Sequence, residues 1–106
     1  CYYFQKADLA LQMKDWTEAA RLGDLALTLP EKEQGQKEWL VYIEAYLRTS
    51  QWSKAFILSR RAHKEKPMLT DMICGVWERA NPDFTSDSEK AQTAQQLLNE
   101  LGCARD

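Results

Sequence analysis

Helix breakers are scarce in this 106-residue chain: it has four glycines and three prolines, and no two glycines lie close together. A glycine loop that cradles phosphate is thereby excluded. No run of about 18 apolar residues occurs, so no helix of this segment is expected to span a bilayer. The first residues, CYYFQKADLA, have neither a basic start nor a long apolar stretch, so they do not read as a secretory leader. The only histidine, His63, has no cysteine or second histidine at ligand spacing. Neither a metal site nor a histidine general base is expected. Positive charge is not in excess either, the net charge being −2. The one basic cluster, Arg60, Arg61, His63, Lys64 and Lys66, reads as a solvated helix C-terminus complementing the dipole, not as a nucleic-acid surface. Three cysteines, Cys1, Cys74 and Cys103, are an odd number with no close pairing. A disulfide framework is not expected, and the expected location is reducing and cytoplasmic.

What is present is helical spacing. With 44% apolar and 28% charged residues the composition is that of an ordinary globular protein, and the length allows one domain, residues 1–106. The start at Cys1, without an initiator Met, reads as a piece of a longer chain. Helices are expected over about 2–14, 16–29, 36–49, 51–65, 68–80 and 87–101. Lys14-Asp15 breaks the first two apart. PEKEQGQ (30–36) and NPDFTS (81–86) read as loops. Ser50 is the expected N-cap of the fourth helix, Ser86-x-x-Glu89 a capping box for the sixth, and Gly102 its stop. Short connections make neighbouring helices antiparallel.

The spacing repeats. "DWTEAARLGDLAL" (15–27) and "QWSKAFILSRRAH" (51–63) superimpose at a shift of 36, matching Trp16 to Trp52, Ala19 to Ala55 and Ala26 to Ala62. Tyr3 falls on Trp39 and Ala10 on Tyr46 at the same shift. A weaker third copy places Leu69, Met72, Ile73 and Val76 on Trp39, Tyr42, Ile43 and Tyr46 at a shift of 30. Trp39, Tyr42, Ile43, Tyr46, Ala55, Ala62 and Pro67, preceded by Tyr3, Ala7, Ala10, Trp16, Ala19, Ala26 and Pro30, resemble the tetratricopeptide repeat. The resemblance is good over about 2–67 and loose beyond. It implies an all-α fold, a right-handed α-α superhelix of three antiparallel helical hairpins with repeats near 2–35, 36–67 and 68–102. Single hairpins cannot bury their own apolar stripe, so such units stack. Two departures stand out. The family's small residue is replaced by Ile43 and Ile73, and its second-helix aromatic by Gly23, Ser59 and Gln95. A swap of bulky and small residues between helices is the expected compensation.

Catalysis finds no foothold, and the chain is not expected to be an enzyme or to hold a cofactor. Cys74, placed on the exposed side of its helix by the repeat register, has acidic neighbours in Asp71 and Glu78 that disfavour a reactive thiol. Glu31/Glu33 and Asp87/Glu89 serve solubility and helix dipoles. The resemblance instead implies a concave groove that holds a peptide. Its positions are Phe4, Asp8, Leu11 and Gln12, then Leu40, Glu44, Leu47 and Arg48, then Thr70, Cys74, Trp77 and Glu78. The row Leu11, Leu47, Trp77 beside Asp8 and Glu44 suits a protein segment with apolar anchors and basic flanks. The Lys and Asn of carboxylate-clamping family members are missing. The expected function is therefore a protein–protein interaction module. The alternative is a structural C-terminal accessory or self-association domain of a larger enzyme or membrane protein, favoured by the polar last helix. Tyr2, Tyr3 and Phe4 at the N-terminal end would support weak homo-oligomerisation.

Overall fold

The computed structural model describes residues 15–29, 38–80 and 88–103. Five helices lie there: α1 (Trp16–Ala26), α2 (Glu38–Arg48), α3 (Trp52–Glu65), α4 (Thr70–Arg79) and α5 (Ser88–Glu100), with a 3-10 turn at Pro67–Leu69 before α4. No strand occurs among the described residues, and the protein is all-α. The helix expected over 2–14, the loops 30–36 and 81–86, and Ser86 of the capping box lie outside the described residues.

Local chemistry sets the helix ends. Asp15 begins α1, its carboxylate accepting the Glu18 N–H at 3.1 Å. Ser50 is not an N-cap. It closes α2 in the left-handed region at φ 61°, and Gln51 takes the N-cap place with no side-chain bond. The Gln51 N–H donates to the Tyr46 carbonyl at 2.8 Å and the Ser50 N–H to that of Leu47 at 3.3 Å, a Schellman motif. Gly102, at φ 77°, closes α5 in the same way. There Cys103 N–H donates to Leu98 at 2.8 Å and Gly102 N–H to Asn99 at 3.1 Å.

Packing follows from α2, whose Trp39, Tyr42, Ile43 and Tyr46 are all buried at three- and four-residue spacing. Burial of each such side chain stabilises by roughly 1.5–3 kcal/mol. α1 lies antiparallel to α2, with Gly23 against Tyr42 and the Arg48 guanidinium 4.6 Å over the Trp16 ring. α3 also lies antiparallel to α2, next to α1, with Lys54 near Tyr46 and paired with Asp24, and Arg61 over Trp39 at 4.6 Å. α4 packs on both α2 and α3. α5 runs beside α3 in the same direction, Lys90 reaching Trp52 and Glu100 reaching Arg60. Ala19, Ala26, Ala55 and Ala62 are buried and keep the helices close. Trp16 and Trp52 are only half-buried, each under a cation, where deep burial was expected.

The expectation for the cysteines is overturned. Cys74 is 1% exposed and bonded to Cys103, with Cα atoms 5.4 Å apart across 29 residues of sequence. Wide spacing hid this pair, because the turn after α5 folds Cys103 back onto α4. In the third copy Leu69, Ile73 and Val76 are buried like Trp39, Ile43 and Tyr46, to which they were matched, while Met72, matched to buried Tyr42, is 53% exposed.

Candidate functional site

The expected groove is not an open surface among the described residues. Phe4, Asp8, Leu11 and Gln12 lie outside them. Leu40 and Thr70 are half-buried, and Arg48 and Glu78 are exposed. Leu47 and Trp77 are each 3% exposed and belong to the core. The Trp77 Nε1–H donates to Ser59 Oγ at 2.9 Å, so the indole is a joint between α3 and α4 and not an anchor for a ligand.

Glu44 is likewise committed. Only 6% exposed, it accepts from Arg48 Nε at 2.9 Å and from Arg79 Nη2 at 2.9 Å. Arg48 Nη2 also donates to the Arg79 carbonyl at 3.4 Å. A buried carboxylate held by two guanidiniums is satisfied and offers no charge to the basic flank expected of a partner. His63 is spent on a joint as well, its Nδ1 lying 2.8 Å from Thr70 Oγ1.

The open site is on the other side of α2. A pocket of about 300 Å³ lies between the end of α1 and the first turns of α3. Leu27, Leu58 and the Tyr46 ring provide its apolar lining, and Ile57, 67% exposed, stands at its edge. Asp24, Lys54 and Arg61 bring charge to it. Asp24 accepts from Tyr46 Oη at 2.8 Å and pairs with Lys54 at 3.1 Å. Burial first, then this bond to Asp24, pushes the Tyr46 phenol far above its ordinary range and keeps it a proton donor. Arg61 pairs with Glu65 at 3.0 Å while stacking on Trp39.

Chemically this site holds shape and apolar surface. No group of His, Cys, Asp and Glu among the described residues is arranged to hold a metal. Nor is any helix among them long and apolar enough to cross a membrane. The one sequence signal for the pocket is Ile57, a lone large apolar residue on a face otherwise carrying Ser53, Lys54, Arg60 and Lys64. Comparison of the chain with protein-family models, curated proteins and solved structures finds no match.

Proposed function

We propose that this chain is a protein–protein interaction module of the α-α superhelical class, resembling the tetratricopeptide repeat, and that it binds a segment of a partner instead of catalysing a reaction. The observation that carries the reading is the pocket between α1 and α3, with exposed Ile57 at its edge. An apolar side chain of the partner fits its lining, and Asp24, Lys54 and Arg61 fix the polar groups on either side. The recurring joint, Gly23 with Tyr42 and Ser59 with Trp77, supports stacked repeats.

Selection of displayed peptides on the whole chain tests this. The expected result is a family of peptides sharing an apolar anchor, weakened roughly tenfold or more by Ile57→Asp. Because Ile57 is exposed, that variant should melt within a few degrees of the wild type. Failure to enrich any peptide, or peptides indifferent to Ile57→Asp, rejects the pocket as the docking site.

One observation favours a second reading, a structural end-piece. The outer face of α5 carries only polar side chains, Glu89, Gln92, Gln95, Gln96, Asn99 and Glu100. Such a face has no apolar stripe on which a further hairpin would stack, which is the character of a terminal cap.

A further inference from the structure

We propose that the Cys74–Cys103 disulfide is the latch that holds α5 against α3 and α4, so that docking of this helix depends on oxidation. The proposal rests on three observations, none of which involves the pocket.

The first is how little else α5 brings to its own docking. Among the described residues it buries Ala94 and Leu97, with Leu98 partly buried and Leu101 in the turn that follows, while α2 buries Trp39, Tyr42, Ile43, Tyr46 and Leu47. Its pairing with α3 is made at the surface: the Arg60 and Glu100 side chains are 53% and 46% exposed, and solvent-exposed pairs of this kind contribute little. Lys90 sits 5.7 Å from the Trp52 ring, a further surface contact.

The second is the position of Cys103. It is the residue after Gly102 in the Schellman motif, and its N–H donates to Leu98. The turn that ends α5 therefore also aims Cys103 at Cys74, with Cα atoms 5.4 Å apart. Forming the helix end and presenting the thiol are one event, and the bond is lost to the helix if the turn frays.

The third is burial. Cys74 is 1% exposed and Cys103 7%. A thiolate attacking the bond needs access to a sulfur, so exchange proceeds through a form in which α5 has lifted. The latch is thus set during folding and stays closed in the folded protein. Setting it removes two protons and two electrons from the Cys74 and Cys103 thiols. The electrons pass to a disulfide oxidant such as glutathione disulfide, which leaves as two glutathione thiols. If the latch is set in this way, folding takes place where such an oxidant is present, as in an oxidising compartment.

Hydrogen exchange on the whole chain in glutathione buffers tests the latch, with thiols counted by alkylation after denaturation. Under oxidising buffer one cysteine of the three, Cys1, should be alkylated, and three after reduction. Reduction should lower amide protection over 88–103 by roughly tenfold or more, with α2 and α3 keeping theirs. Cys103→Ser should reproduce this loss under oxidising buffer, and Cys1→Ser should not. Three free thiols after oxidative refolding overturn the proposal, as does unchanged α5 protection on reduction. Equal loss across α2, α3 and α5 overturns it too, because the bond is then a staple of the whole fold.

Discussion

A missing Cβ decides how closely α1 and α2 approach. A methyl placed on Gly23 would lie 2.8 Å from Tyr42 Cδ1 and 3.2 Å from its Cβ, too near the backbone for the ring simply to swing away. Alanine is the better helix former by about 1 kcal/mol, but overpacking a tight core costs roughly 1–3 kcal/mol. Gly23→Ala is therefore expected to destabilise by about 1 kcal/mol, read from the urea midpoint; a rise in the midpoint would mean that Tyr42 gives way freely. Ser50 presents the opposite case. It fills the left-handed place of its Schellman motif, where Gly102 fills the corresponding place after α5. An L-residue pays roughly 1–2 kcal/mol for that conformation, of which glycine's unfolded-state freedom returns a part. Ser50→Gly should raise stability by about 0.5–1 kcal/mol in the same titration, and a lowered midpoint would show that the serine is not strained there.

At the scale of elements, α2 is fixed by its ends and its phenols. Glu44 joins it to α4 through Arg79 and is buried between two guanidiniums. Glu44→Lys would set a third cation there, and breaking a buried pair leaves uncompensated charge at about 3 kcal/mol or more. The expected outcome is a large drop in melting temperature; an unchanged one would place Glu44 in solvent. Tyr42 and Tyr46 give α2 an alkaline limit. Burial, with a smaller push from Glu38, raises Tyr42 to about 12, and Tyr46 is raised further. A phenol titrating higher in the folded state contributes stability that is whole below its unfolded value of about 10 and lost as pH rises beyond it. Thermal melts should hold steady up to about pH 10 and fall steeply by pH 12, whereas a flat profile across that window would contradict both shifts. The elements themselves were legible: α2 was expected at 36–49 and α3 at 51–65, and they occupy Glu38–Arg48 and Trp52–Glu65. The burial of Cys74 and Trp77 was not, because the residues they meet, Cys103 and Ser59, lie 29 and 18 positions away in sequence. The candidate site was less legible still. Glu44 looks like a free acid until Arg79, 35 positions away, is brought to it, and the pocket is assembled from helix faces that carry no motif.

Across the whole molecule, order should fall away from α2. It touches α1, α3 and α4, and it supplies Trp39, Tyr42, Ile43 and Tyr46, four of the largest fully buried side chains. Not all of this is favourable: Trp39 Nε1 and Tyr42 Oη are buried without a hydrogen-bond partner among the described residues. Leaving such groups unpaired costs about 1–3 kcal/mol each, which the Arg61 guanidinium over the Trp39 ring offsets in part. Burial on this scale still exceeds that cost, and no opening that spares α1, α3 and α4 can expose α2. Its central amides should then exchange only through global unfolding, with the protection free energy equal to the stability measured in denaturant. The amides of α5, whose outer face is polar throughout, should exchange through smaller openings even with the disulfide intact. Native-state hydrogen exchange at rising denaturant separates the two. α2 amides should show the full denaturant dependence of global unfolding, and α5 amides a weaker one. Should α5 prove as protected as α2, with the same denaturant dependence, the helices would form one cooperative unit and α2 would hold no privileged place in it.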